Sequence, residues 1–209
     1  MTQVVQPTKI VCIGRNYAAH ARELGNEVPP EPLIFLKPPS AMLAPGAAIV
    51  LPHQSKRVEH EAEIGVVIGT RAKDVAEADA LAHVAGFTCV NDVTARDLQK
   101  TDGQWTRAKG FDTFCPMGPR VVAGLDWRAL EVICRVNGAV RQHGHARDMM
   151  YGIPRLVSYV SGIMTLEPGD VIATGTPEGV GPLEPGDLVE VEIPGIGLLA
   201  NPVTGKGTP

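Results

Sequence analysis

Residues 61–69, EAEIGVVIG, decide the fold class, because their length and β-branched content predict a strand. Side chains on a strand alternate between faces, so Ala62, Ile64, Val66 and Ile68 form one wholly apolar face. Glu61 and Glu63 then project together from the other face, and Gly65 is expected to leave open space beside them. Working outward, 9–13 (KIVCI) predict a second short strand, and 86–94 (GFTCVNDVT) a third. Further strands are expected in 32–43 (PLIFLKPPSAML), 47–52 (AAIVLP) and 131–138 (EVICRVNG), the last ending in an Asn-Gly hairpin turn. Helices are expected to be few. One spans 14–25, with Asn16 as N-cap, Gly25 as its stop and an apolar stripe of Tyr17, Ala21 and Leu24. Another covers the Ala-rich stretch 78–85, and a third starts at Pro154 with Ile153, Leu156, Val157 and Val160 on one face. Residues 95–118 read as loop with short helical pieces. The sequence LEPGD occurs at 166–170 and 183–187, each time before a β-rich run, which predicts one turn chemistry used twice. No linker separates two domains, so the expectation is a single α+β domain over 1–209, mostly β.

Composition agrees. Gly (23) and Pro (18) make up almost a fifth of the 209 residues while aromatics are 4%, which suits short strands and turns better than a helical bundle. With 19 Lys+Arg against 23 Asp+Glu, the net charge of −4 gives no reason to expect nucleic acid as a partner. No apolar run approaches the roughly 20 residues of a membrane span, so no membrane partner is expected. The opening MTQVVQPTKI lacks the regions of a signal peptide. Cys12, Cys89, Cys115 and Cys134 form no CxxC and read as buried small hydrophobes in a reducing compartment, with the cytoplasm as the expected location.

The chemistry centres on acids. Same-face neighbours on a strand lie about 6.5–7 Å apart, and two carboxylates at that spacing can converge on one ion whose oxygen bonds are about 2.0–2.6 Å. Asp92, at the end of the next predicted strand, supplies a third acid. Three carboxylates without Cys or His at metal spacing suit a hard cation, Mg²⁺ or Mn²⁺. The same Glu-x-Glu spacing would also line the solvated face of an edge strand. A glycosidase pair fits poorly, because parallel carboxylates on one strand would not flank a sugar. Thr94-x-x-Asp97 resembles a capping box.

His20 and Glu23 are i, i+3 neighbours on the first predicted helix, a spacing that lets a carboxylate orient an imidazole as a general base. The same spacing also serves a plain surface pair. The Pro-rich stretch 26–32 behind them would let the element move as a lid. Lys109 could hold a substrate carboxylate or an enolate oxygen, or be a solvated lysine. Thr174-Gly175-Thr176-Pro177 could present hydroxyls and amides to an anion, or simply turn the chain. His53, His60, His83 and the pair His143-x-His145 carry no independent signal.

Taken in order, GRNYAAH (14–20), EHEAEIGVVIG (59–69), NDVTARDLQ (91–99), RAKGFDTFCPMGP (107–119) and GDVIATGTPEGVG (169–181) resemble the signatures of the fumarylacetoacetate hydrolase family. The resemblance runs from about 9 to 203. It implies a mixed β-sheet roll with few helices, assembled as a homodimer. It also implies that Glu61, Glu63 and Asp92 ligate Mg²⁺ or Mn²⁺, that Lys109 stands beside them, and that His20 and Glu23 form the dyad of the short acylpyruvase-type members. Arg15, Gln99 and Thr176, within the same motifs, are the expected substrate contacts. The founding enzyme's extra N-terminal domain is not expected among residues 1–209 and no acid clearly matches its fourth ligand, which turns the expectation away from fumarylacetoacetate itself. The activity so implied is hydrolysis of the C–C bond of an acylpyruvate, a small 2,4-dioxo acid, to pyruvate and an acid. Oxaloacetate decarboxylation or tautomerisation, and isomerisation of hydroxylated dienedioates in aromatic catabolism, share the same enolate. A non-catalytic β-rich scaffold is the competing class.

Overall fold

A computed structural model describes residues 6–205 except 24, 26 and 28, so Leu24 of the expected helical stripe lies outside the described residues. The strands are β1 (Ile10–Gly14), β2 (Leu33–Lys37), β3 (Met42–Leu43), β4 (Ile49–Val50), β5 (Val58–His60), β6 (Ala62–Ile68), β7 (Val84–Asn91) and β8 (Thr94–Ala95). They continue as β9 (Cys115–Val122), β10 (Glu131–Val136), β11 (Ala139–His145), β12 (Val171–Ala173), β13 (Gly181–Pro182), β14 (Leu188–Ile193) and β15 (Gly197–Thr204). The helices are α1 (Ala18–Glu23), α2 (Arg96–Thr101), α3 (Thr106–Lys109) and α4 (Ile153–Ile163). None of the described helices is long and apolar enough to cross a membrane.

A seven-stranded mixed sheet runs β2-β1-β12-β6-β7-β9-β3, a five-stranded one β11-β10-β14-β15-β4, and a small one β13-β5-β8. The expected class, mostly β with few helices, is the one observed. β10 and β14 pack on β6 and β7, which makes β6 the centre of the molecule. Every residue of β6 is buried. Ala62, Ile64, Val66 and Ile68 join the main core with Val132, Cys134 and Val191, as their alternation predicts. Val67, on the other face, joins a smaller core with Ile10, Cys12, Val90 and Cys115. Each fully buried Val or Ile contributes roughly 1.5–3 kcal/mol, so the centre of this strand is anchored on both sides. β6 lies between β12 and β7, and the edge-strand reading of its acids is thereby overturned.

Turn chemistry follows the sequence closely. Asn137 and Gly138 adopt φ of 53° and 78°, the doubly positive pair a two-residue hairpin needs. In both LEPGD turns the Asp carboxylate accepts a hydrogen bond from the backbone of the Glu three residues before it, at 2.8 Å for Asp170 and 2.7 Å for Asp187. Pro154 occupies the first turn of α4. The four cysteines are buried and unpaired, and burial pushes the thiols of Cys115 and Cys134 up to about 12.

Four expectations are corrected. The stretch 78–85 is a 3₁₀ helix over Glu77–His83, not an α-helix running to Gly86. The amides of Gly69 and Thr70 both bond to the His83 carbonyl, which stops the helix and lets Val84 enter β7. Asn16 does not cap α1: its amide donates to the carbonyls of Tyr151 and Thr174 and its oxygen accepts from Tyr151 N, fastening three segments instead. Thr94 belongs to β8 and Asp97 accepts from Ser55 and Lys56, so there is no capping box. Gly65 leaves no open space, since a Cβ there would lie 2.6 Å from Val90 and 2.9 Å from Thr88.

Candidate metal centre and active-site cavity

Glu61 and Glu63 emerge from the start of β6, and Asp92 from the end of β7, its antiparallel neighbour. Because Ala62 pairs with Asn91, the three carboxylates meet at one end of the strand pair. Asp92 is held there by its amide, which bonds to the Glu61 carbonyl at 2.8 Å. One oxygen from each acid lies within 4.8 Å of the others, and all three residues are buried. They form part of the wall of a cavity of about 600 Å³. Arg15, His20, Glu23, Gln99, Lys109 and Thr176 line the same cavity, so all nine residues singled out from the sequence converge on it.

Lys109 Nζ sits between two of the acids, 2.7 Å from Glu61 and 2.6 Å from Asp92, with the Phe35 ring centre 4.8 Å away. Two further buried cations, which the sequence reading missed, complete the network. Lys37, at the end of β2, reaches Asp92 at 2.6 Å and the Val93 carbonyl at 3.0 Å. Arg96, opening α2, bonds Glu59 at 2.6 Å and also grips Glu61 and Gln99. Among the described residues, the remaining acid, Glu63, has no cationic side chain bonded to it and accepts only the Gly175 amide, at 2.8 Å. Arg96 was legible in principle as the cation inside the quoted NDVTARD. Lys37 carried a weaker signal, a lysine closing an apolar strand before two prolines.

The electrostatics follow from this pairing. Burial opposes charge on Glu61, but Lys109 and Arg96 outweigh it and hold the carboxyl well below the usual range. Burial, with Asp92 and Glu61 alongside, pushes the Glu63 carboxyl well above it. Burial also opposes the Lys109 charge, yet Asp92 and Glu61 raise its pKa on balance, so it stays an ammonium. The donor set around the gap is oxygen only, and its least compensated member, Glu63, is the one most in need of a counter-charge. Such a set fits a hard divalent cation.

His20 is buried on α1, and its Nδ1 lies 3.2 Å from Glu23 Oε2. Glu23 is fixed from the other side by the Gly179 amide at 3.0 Å. The expected dyad is therefore formed and tied across to the loop after β12. The hydroxyls of the Thr174–Pro177 turn behave differently from expectation. Thr174 donates to the Ile64 carbonyl, and Thr176 donates to Ala62 O while accepting from Gln142 Nε2. Their protons are committed inside the fold, so the Thr176 hydroxyl can offer the cavity a lone pair but no donor.

The model of the fumarylacetoacetate hydrolase C-terminal domain matches residues 9–204. An uncharacterized protein of Pyrococcus abyssi is 55% identical over 97% of this chain and 92% of its own length. A mitochondrial oxaloacetate tautomerase of Arabidopsis thaliana is 49% identical over 91% of this chain and 88% of its own. The crystal structure of 5-carboxymethyl-2-hydroxymuconate delta-isomerase from Mycobacterium smegmatis superposes with a TM-score of 0.92 at 50% identity, covering 100% of this chain and 83% of that one. Sequence, backbone and the gathered acids agree, and the chain belongs to the fumarylacetoacetate hydrolase family.

Proposed function

We propose that this protein is a Mg²⁺- or Mn²⁺-dependent enzyme that forms the enolate of a small 2-oxo acid, with keto–enol tautomerisation or double-bond isomerisation as its reaction. The observation that carries the reading is the convergence of Glu61, Glu63 and Asp92 with the His20–Glu23 dyad on one cavity. The order of preference differs from the sequence reading, which put hydrolysis first. Two of the relatives described above are named for tautomerisation and isomerisation, and a proton shuttle requires only the groups already in place.

Glu61, Glu63 and Asp92 would hold the ion, which when bound supplies Lewis acidity for negative charge on the substrate's 2-oxo oxygen. With the proton on Nδ1 hydrogen-bonded to the Glu23 carboxylate, Nε2 of His20 is free to act as the base toward the substrate. Nε2 takes a proton from C3, the C–H electron pair moves into the C2–C3 bond, and the carbonyl pair moves onto oxygen. Lys109 contributes positive charge and keeps its proton, because the acids beside it raise its pKa. Arg96, braced by Glu59 and Glu61, holds Gln99 against the cavity wall, where both can orient a substrate carboxylate. Arg15 stands on the same wall with Trp105, its guanidinium 6.0 Å from the ring centre.

Hydrolysis of an acylpyruvate is the second reading. It is favoured by the cavity's size and by the same dyad, which could deprotonate water in place of C3. Purified protein with Mg²⁺, assayed on the enol of oxaloacetate, on oxaloacetate decarboxylation and on acetylpyruvate, tests both readings. Loss of enol absorbance without release of CO₂ or acetate supports the first. Acetate from acetylpyruvate at a greater kcat/KM selects the second, and turnover of none of them contradicts both. Residence in the cytoplasm and assembly as a homodimer belong to the same proposal.

A further inference from the structure

His143 and His145 acquire meaning from a residue twelve positions upstream, and a single irregularity brings the three together. Next to the Asn137-Gly138 turn, Val136 pairs with Ala139 and Arg135 with Val140. Continued unbroken, that register would set Glu131 opposite Gly144 and leave both histidines on the other face of the sheet. A bulge at Arg141 slips the ladder by one residue, so that Glu131 pairs with His145 and Ile133 with His143. The bulge is braced: Gly179, at φ +94°, approaches so closely that a Cβ would lie 2.1 Å from the Arg141 carbonyl. Gln142 and Gly144 consequently face inward, against Thr176 and Pro177, while the carboxylate and both imidazoles share the outer face.

We propose that Glu131, His143 and His145 form a second metal site, selective for a borderline divalent ion such as Zn²⁺. His143 Nε2 lies 2.8 Å from Glu131 Oε2 and His145 Nδ1 lies 3.9 Å from it. One donor atom from each residue lies within 4.8 Å of the others, and the two rings are 5.2 Å apart. Tetrahedral Zn²⁺ with bonds of about 2.0–2.1 Å needs donors about 3.3 Å apart, so small side-chain rotations close the site. Side-chain exposures of 49%, 34% and 30% for His143, His145 and Glu131 leave a fourth position open to water or a ligand. Two nitrogens and one oxygen distinguish this site chemically from the all-oxygen cluster in the cavity, to whose wall none of the three belongs. The assignment does not depend on which reaction the cavity performs.

Calorimetric titration of the EDTA-treated full chain with Zn²⁺, in excess Mg²⁺ to fill the all-oxygen site, tests it. The wild type should bind one Zn²⁺ per chain at micromolar concentration. His143→Ala and His145→Ala should each weaken binding by on the order of tenfold or more, and Glu61→Gln should leave it unchanged. Equal binding in the double histidine variant, or no binding in the wild type, overturns the proposal. The electron paramagnetic resonance spectrum of the Cu²⁺-loaded wild type decides independently of any variant's folding. Coupling to two imidazole nitrogens supports the site, and oxygen-only ligation overturns it.

Discussion

His20 Nδ1 lies 3.2 Å from Glu23 Oε2, a contact that favours the proton on Nδ1, since a carboxylate can only accept. His20→Ala is expected to lower kcat by about 10²–10⁴-fold, the range of a general base, while leaving Mn²⁺ affinity within twofold or so. Parallel steady-state kinetics and metal titration check this, and a matching loss of metal affinity would assign His20 to the metal site instead. Lys37 makes a different case, because Asp92 is buried and shared between two lysines. Lys37→Met should cost about 3–5 kcal/mol in urea unfolding of the metal-free protein, the penalty for breaking a buried pair. A cost under about 1 kcal/mol would mean that Lys109 alone compensates Asp92. The acids were legible in the sequence because alternation on a strand needs only local spacing. Lys37 and Arg96 were not picked out from their weaker local signals, because the bonds that reveal their role join residues 55 and 35 positions apart.

Among the elements, β6 carries both the core and the site. Its alternation placed Ala62, Ile64, Val66 and Ile68 correctly, and the Asn-Gly pair located the β10–β11 hairpin. Where the reading went astray, a tertiary neighbour had taken over a local role. β7 side chains fill the space beside Gly65, and Asn16 fastens Tyr151 and Thr174 in place of capping α1. The bulge at Arg141 was equally invisible, since Gly179 braces it from another segment. Gly65→Ala is expected to destabilise by about 1–3 kcal/mol, the usual cost of overpacking, since its Cβ would press on Val90 and Thr88. Thermal unfolding of the variant measures the loss, and an unchanged midpoint would show that β7 gives way freely.

At the scale of the molecule, Asp170 ties the entry of β1 to the turn before β12. It accepts from Thr8 N at 2.8 Å and from Glu167 N at 2.8 Å, and pairs with Lys9. Burial works against its charge, but Lys9 and these donors prevail and hold its carboxyl below the ordinary value. A carboxyl depressed in the folded state stabilises above its unfolded pKa of about 3.9, and that contribution is lost as pH falls through the folded value. Asp170→Asn should therefore unfold more readily than wild type at neutral pH, with the difference shrinking as the medium is acidified below about pH 4. A gap that stays constant across that range would remove Asp170 from the acid limb of stability. The whole account rests on one divalent ion among Glu61, Glu63 and Asp92. Anomalous diffraction at the manganese edge, from crystals soaked with Mn²⁺ and oxalate as an enolate mimic, tests that claim most directly. The account predicts a peak bridging the three carboxylates, with oxalate beside it facing His20. Density for manganese elsewhere and none between those acids would contradict it.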